Sequence, residues 1–294
     1  MTELGEAIAN PTPELTNVLL SDGKQYIVFL GNREIHLIDV STISIVSSLS
    51  FDATVQCATF SEDKQSLAVC CGQTATLYSI PSLKVIASPQ LFFHPTAVAV
   101  DSSSSGHDIF LVGGPGVYHV AVRADGAMAA SLLGPQIDTF IAVKVVSSAA
   151  LVASRIDSVL FYYPRPLPRS GPTPLGGRPS FDQRSEVGLP TDLAVDPEGA
   201  TMVCWDGAVA RSPLPEGPME WIEPPHTAVD DRLPPPCLLS VTGDGELVVS
   251  HRSVLRLPGP REVSMPGHVL GMCRCGSLFV FTREGGLMRV EEVG

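Results

Sequence analysis

No run of eighteen apolar residues occurs in this chain, so no segment reads as a membrane-crossing helix. The opening residues, MTELGEAIANP, lack a basic stretch followed by an apolar one, and no secretory leader is expected from them. Charge is sparse and lopsided, with 19 basic against 31 acidic side chains and a net charge of −12. That balance argues against a broad phosphate-contacting surface, which needs clustered Lys and Arg. Basic residues gather in one place, Arg165, Arg169, Arg178 and Arg184, with Asp182 the one acid among them. Nucleic acid is expected, if at all, only through this Arg165–Arg184 loop.

The usual signatures of chemistry are missing as well. There is no G-x-S-x-G nucleophile elbow and no G-x-x-x-x-G-K-[ST] phosphate loop. Gly113-Gly114-Pro115-Gly116 is glycine-rich, but Pro115 removes a backbone donor and no helix follows, so it reads as a hairpin turn. None of the seven histidines pairs at the i, i+4 spacing of a helical zinc site, and His36 and His119 read as packed or half-exposed strand residues. The seven cysteines are an odd set, several inside apolar strands, which suits a reducing compartment better than a disulfide framework. Cys70 and Cys71 are adjacent and point to opposite faces of a strand, so they cannot share an ion. Cys273 and Cys275 share a face but have no second ligand pair, and a structural role is expected. Asp101, Asp196 and Asp244 read as turn residues that cap their own backbone. No cofactor, no metal and no catalytic set is expected.

What the chain does have is repetition. From Thr54 to Ile80 it reads TVQCATFSEDKQSLAVCCGQTATLYSI, three short apolar runs punctuated by turn formers. The second and third runs line up seven times: YIVFLGNREIHLIDV, SLAVCCGQTATLYSI, DIFLVGGPGVYHVAV, ALVASRIDSVLFYY, TMVCWDGAVARSPL, ELVVSHRSVLRLPG and SLFVFTREGGLMRV. Their turns fall near Gly31, Gly72, Gly114, Arg155, Asp206, His251 and Glu284, a period of roughly forty residues. A preceding strand and turn recur too, as NVLLSDGK, CATFSEDK, LAVDPEG and LSVTGDG. Shorter, more polar segments follow each unit, at Ser44–Phe51, Lys84–Leu91, Ala127–Leu133, Pro218–Ile222 and Arg261–Met265, and suit an outer, solvent-facing strand.

This order of strand, S-x-D-G-K turn, strand, tight turn, strand resembles the WD-repeat propeller family. Ser21-Asp22-Gly23-Lys24 and Ser61-Glu62-Asp63-Lys64 match its first turn. The family's Gly-His dipeptide is missing, and third strands end in Ile38-Asp39, Tyr78-Ser79 and Tyr162-Tyr163 rather than Trp-Asp. Trp205-Asp206 falls at a different turn, so the chain resembles a divergent member.

The expected fold is an all-β, seven-bladed propeller of four-stranded antiparallel blades filling residues 1–294 as one domain. The blades are placed at about 14–51, 52–92, 93–134, 135–185, 186–224, 225–266 and 267–294 plus 1–13, and six or eight also fit the spacing. The last unit has only three strands, so the N-terminal segment, around Glu3 to Ala9, is expected to add the fourth. Two proline-rich intervals, 163–183 and Ser212–Pro236, read as loops between later strands.

Function is expected to be protein binding by an intracellular adaptor, nuclear or cytoplasmic, that docks a linear or helical segment of a partner. The resemblance implies a single propeller within a hetero-complex, of mitotic-checkpoint, kinetochore or mRNA-export type. It leaves open a non-catalytic subunit of an RNA-modifying enzyme, or a hydrolase holding a metal in its channel. The contact residues expected on strand-joining loops are Arg155, Trp205, Trp221, His251, Arg252 and Arg283, because Arg and Trp are enriched at interface anchors. Trp221 reads equally as a packing residue.

Overall fold

A computed structural model describes residues 2–3, 18–21, 25–42, 44–61, 63–103, 106–114, 116–133, 140–147, 150–155, 160–164, 173–176, 192–195, 201–205, 208–212, 220–223, 237–241, 247–251, 254–257, 261–267, 269–275, 277–282 and 286–290. Between 140 and 251 the description is of backbone course and pairing, with side chains only at Val143 and Val145. All regular structure among these residues is β, arranged as seven four-stranded antiparallel sheets. This is the all-β, four-stranded organisation that the repeats predict.

The sheets follow the chain. Sheet 1 holds Val18–Ser21, Tyr26–Leu30, Glu34–Asp39 and Ser44–Ser50. Sheet 2 holds Val55–Phe60, Ser66–Cys71, Thr74–Ser79 and Val85–Ala87. Sheet 3 holds Ala97–Ser103, Gly106–Gly114, Gly116–Arg123 and Met128–Leu133. Sheet 4 is Phe140–Ser147, Ala150–Arg155, Leu160–Pro164 and Thr173–Gly176. Sheet 5 is Asp192–Val195, Thr201–Trp205, Ala208–Ser212 and Glu220–Glu223. Sheet 6 is Cys237–Val241, Leu247–His251, Val254–Leu257 and Arg261–Ser264. Sheet 7 takes Val269–Cys275, Ser277–Thr282 and Gly286–Val290 from the chain's end, and its fourth strand is Thr2–Glu3, with Thr2 opposite Arg289 and Glu3 opposite Met288.

The N-terminal segment thus supplies an outer strand, at Thr2–Glu3; the rest of the expected Glu3–Ala9 span lies outside the described residues. Within the 163–183 interval, Thr173–Gly176 forms the outer strand of sheet 4. Pro174 is tolerated there because an outer strand needs only one of its two edges paired.

By contact the chain divides into two compact units, Met1–Val55 with Ala228–Gly294, and Gln56–Thr227. In the first unit, Ile27, Phe29, Ile38, Phe279, Phe281 and Leu287 pack into one core with Cys273 and Cys275. Phe29 meets Phe281 edge-on at 5.0 Å, the arrangement favoured by ring quadrupoles. In the second unit, a core runs between sheets 2 and 3 through Leu77, Val98, Ile109, Leu111 and Tyr118.

Burial explains the sequence pattern strand by strand. Second strands such as YIVFL, SLAVCC and SLFVFT are buried along nearly their whole length, so they read as continuous apolar runs. They are covered on both faces. Outer strands such as SIVSSLS are mostly exposed and read as polar or small.

Candidate interaction surfaces

Each four-stranded meander has two ends. At one end the second strand turns into the third and the outer strand departs for the next sheet; at the other lie the remaining two turns. The first, the hairpin end, is tied down by backbone hydrogen bonds. In sheet 1, Gly31 N–H donates to Glu34 O at 2.8 Å, and the link to the next sheet returns Phe51 N–H to Arg33 O and Val55 N–H to Asn32 O, both at 2.8 Å. In sheet 2, Leu91 N–H reaches Gln73 O at 2.7 Å and Thr74 Oγ1 reaches Gln90 Oε1 at 3.0 Å. In sheet 3, Thr96 N–H reaches Val112 O at 2.7 Å. The approach there is so close that Gly113, at φ +126°, has no room for a Cβ beside His94 O and Thr96 N.

On this fastened end one large apolar side chain stands out. Leu91 and Phe93 turn inward, while Phe92 between them is 70% exposed. Its ring is braced edge-on by Tyr118 at 4.8 Å and by Phe93 at 5.4 Å. Around it the described link residues Gln90, His94 and Thr96 are exposed, and Gln56 Nε2 lies 3.4 Å from His94 Nδ1. Phe92 was not singled out from the sequence. The one trace of it in the sequence is Leu91-Phe92-Phe93, an apolar triplet in the link between two strands, which does not say which of the three stays outside.

The expected contact residues fall as follows. Arg155, Trp205 and His251 each close the second strand of their sheet, so all three stand at hairpin ends. Trp221 is elsewhere, in the outer strand of sheet 5 opposite Ala210. Arg252, Arg283 and the four arginines of the 165–184 loop lie outside the described residues, as do Asp196 and Asp244. Asp101, expected in a turn, instead sits buried within Ala97–Ser103 opposite Asp108, because that strand continues two residues further before it turns.

The opposite end is held by carboxylates. Ser61 is fully buried; its hydroxyl donates to Asp63 Oδ1 at 2.5 Å and accepts Ser66 N–H at 3.0 Å, while Asp63 Oδ1 also accepts Gln65 N–H at 3.0 Å. Burial would raise the Asp63 pKa, but these donors, with Ser102 and the charge of His107, carry it below the usual carboxylate value. Ser102 Oγ lies 2.7 Å from His107 Nδ1. The order is therefore Asp63–Ser102–His107, with the carboxylate on the serine. A catalytic triad needs it on the histidine, so this cluster fastens the first turn of sheet 2 to sheet 3 and does not activate the hydroxyl.

Beside it, a groove of about 460 Å³ is lined by His107, Asp108, Ala121, Arg123 and Asp125. His119 Nε2 contacts Asp108 Oδ1 at 2.7 Å, its ring stacks on Phe110 at 5.1 Å, and Ser131 Oγ lies 3.4 Å from its Nδ1. His36 repeats this in sheet 1, stacked on Phe29 with Ser48 Oγ at 2.8 Å. In sheet 2 Thr76 stands at the corresponding place, its Oγ1 2.9 Å from Ser88 Oγ. All three pairs are twelve residues apart, a further repeat that was legible in the sequence. These histidines pack and pair across strands.

Asp39 ends the third strand of sheet 1 and collects four donors. They are Ser41 Oγ at 2.5 Å, Gln25 Nε2 at 2.7 Å, Ser41 N–H at 2.8 Å and Thr42 N–H at 3.2 Å. The Ser41 hydroxyl first, then Gln25, hold its pKa down at about 2, against the usual 3.8. A depressed folded-state pKa adds stability above the unfolded value and loses it as pH falls through the folded one. Melting followed from pH 5 to pH 2 should therefore show wild type well above Asp39→Asn at pH 5, with the gap narrowing below about pH 4. A gap that stays constant over this range would show that the carboxylate charge does not matter.

Among the described residues no group of three His, Cys, Asp or Glu is placed to hold a metal ion, and Cys57, Cys70, Cys71, Cys273 and Cys275 form no disulfide. Cys57 Sγ beside it, and then burial, push the Cys70 thiol pKa well up, so Cys70 stays protonated.

No protein-family model matches the sequence, and no curated protein matches it. Solved structures do. The β-propeller domain of Cps50 (Swd1) from Myceliophteria thermophila is 12% identical, with a TM-score of 0.66 over 97% of this chain and 98% of that one. The WD40 repeats of RRP9 are 13% identical, with a TM-score of 0.69 over 95% of this chain and 92% of that one. Hydrazine synthase from Kuenenia stuttgartiensis is 10% identical, with a TM-score of 0.68 over 98% and 99%. Identities this low speak for the fold alone, and the presence of both WD40 repeats and an enzyme among the matches leaves function to the site. Seven four-stranded antiparallel sheets, matching such domains along nearly the full chain, give it the β-propeller fold that WD40-repeat proteins share.

Proposed function

We propose that this chain is a non-catalytic scaffold that docks a segment of a protein partner at the hairpin ends of its sheets, inside the cell and within a larger complex. The observation that carries this reading is the combination found at Phe92. A large apolar ring is exposed and braced by two neighbouring rings, on a link whose backbone is hydrogen-bonded to the sheets it joins. Such a side chain loses little freedom on binding, which is what makes an interface anchor effective. Arg155, Trp205 and His251 stand at the same end of their own sheets and are proposed as further contacts. Arg252, which follows Leu247–His251, and Arg283, which follows Ser277–Thr282, are proposed with them from their place in the sequence. The described link residues beside Phe92, Gln90 to Thr96, include no Lys, Arg, Asp or Glu, which suits an apolar or amide-rich segment better than a phosphate.

Affinity purification of the full chain from its native cell tests this. Wild type should retain stoichiometric protein partners, a mitotic-checkpoint or kinetochore assembly being the first to look for. Phe92→Ala and Trp205→Ala should each weaken retention about tenfold or more, or about 1.4 kcal/mol. Undiminished retention by both variants would overturn the assignment of this end.

A further inference from the structure

Cys57 and Cys70 are both free thiols, and the hairpin that joins their strands sets them opposite each other. Val55–Phe60 and Ser66–Cys71 are neighbours in sheet 2. At the turn between them Ser61 N–H donates to Ser66 O at 2.8 Å and Ser66 N–H returns to Ser61 Oγ at 3.0 Å, which puts Ser61 opposite Ser66. Counting four residues back along the first strand and four forward along the second brings Cys57 opposite Cys70. Burial agrees, since Cys57 packs against the core that holds Cys70, Ala68, Ala75 and Leu77, on the face of sheet 2 turned to sheet 3. The Cys57 sulfur is also the first cause of the raised Cys70 pKa, as two thiols in contact require. Directly opposed residues of an antiparallel pair stand about 4.5–5.5 Å apart at Cα. That lies within the roughly 4.4–6.8 Å that a disulfide spans. Cys71, next along the strand, has its side chain on the other face.

The two thiols differ in access. Cys70 is fully buried and Cys57 half-buried, so a small oxidant arriving from solvent meets Cys57 first. Cys57 also has a contact outside its own sheet. Its S–H donates to Pro95 O at 3.8 Å, in the link that carries Phe92. That link is fastened near its ends by Leu91 N–H to Gln73 O and Thr96 N–H to Val112 O, and Cys57 reaches it between those bonds.

We infer that Cys57 and Cys70 are a redox pair which hydrogen peroxide closes into a disulfide, and that closure withdraws the thiol donor from Pro95 O and loosens the Phe92 link. As a thiolate, Cys57 attacks one oxygen of the peroxide. The O–O bond breaks, Cys57 becomes a sulfenic acid, and the departing hydroxide takes up the proton that the thiol released. The Cys70 sulfur then attacks the Cys57 sulfur. The S–OH bond breaks, and the Cys70 proton leaves with that hydroxide as water. The two sulfurs together lose two electrons and two protons, and the peroxide that gains them ends as two waters. No hydrogen remains on Cys57, so its bond to Pro95 O is gone.

The effect of closure on partner retention rests on the scaffold reading, but the cross-link and the loosening are measured without a partner. The full chain is treated with hydrogen peroxide, its remaining thiols are blocked, and it is cut with trypsin in the absence of reductant. Cleavage after Arg33, Lys64 and Lys84 leaves Cys57 on peptide 34–64 and Cys70 on peptide 65–84. A linked species two hydrogens lighter than the sum of these peptides is expected, cleaved by dithiothreitol, with fragmentation placing the bond at Cys70 and not Cys71. It should form equally in Cys71→Ala and be absent from Cys57→Ser. Because fragmentation of the wild-type species locates the bond, no result depends on a variant of the buried Cys70. Amide hydrogen exchange at residues 92–94 should quicken roughly two- to threefold when wild type is oxidised, the scale of one weak hydrogen bond lost, and stay unchanged in Cys57→Ser. No linked species, a bond to Cys71, or exchange in the link that closure leaves unchanged would each overturn the inference.

Discussion

Gly106→Ala is expected to destabilise the protein by about 3–5 kcal/mol, among the largest effects of any single methyl group here. Gly106 has φ +142°, a conformation L side chains rarely adopt, and a Cβ built there would lie 2.0 Å from Val122 O and 3.0 Å from the Arg123 Cα. Both obstacles are backbone, in the strand with which Gly106 pairs, so no rotamer change relieves them. Gly126 is the control. It also has positive φ, at +84°, but nothing lies within 4 Å of its would-be Cβ, so Gly126→Ala should cost only about 1 kcal/mol. Thermal melting of the two variants separates close approach from backbone conformation. Roughly 5–10 °C should be lost in Gly106→Ala and only a few degrees in Gly126→Ala. Equal losses would show that the clash is absorbed.

Phe281→Ala is expected to cost about 3–5 kcal/mol, as truncation of a buried aromatic usually does. The ring is 1% exposed, meets Phe29 edge-on and belongs to the core formed with Ile27, Ile38 and Phe279. Phe92→Ala is its counterpart. At 70% exposure the ring contributes little to the fold, and less than about 1 kcal/mol should be lost. Chemical unfolding of both variants, read beside partner retention, distinguishes a phenylalanine that holds the molecule together from one that faces a partner. A large stability loss in Phe92→Ala would move it to the first class and remove the main support for the hairpin-end surface.

The architecture was legible because periodicity survives when signature residues do not. SLAVCC reads as a continuous apolar run since its strand is covered on both faces, and SIVSSLS reads as small and polar since its strand is mostly open. The S-x-D-K turn was visible as a pattern because Asp63 bonds locally, to Ser61 and the Gln65 amide. Contacts made at a distance were not visible in this way. Nothing local to Asp63 announces Ser102 or His107 in the next sheet, and nothing local to Asp101 says that its strand runs on past it. Pro174 hid a strand altogether, because proline content cannot by itself tell a loop from an outer edge.

The sequence by itself determined most of the stretches that become strands and most of their turns, and that about forty residues make one repeating unit, because these depend on side-chain alternation and turn chemistry within a few residues. Only the tertiary structure decided that the N-terminal strand is Thr2–Glu3 in register with Arg289 and Met288, that Phe92 stays outside while Leu91 and Phe93 go in, and that Gly106 and Gly113 leave no room for a methyl group. Those outcomes depend on which backbone passes within a few ångströms of which, a matter settled by packing between segments far apart in sequence.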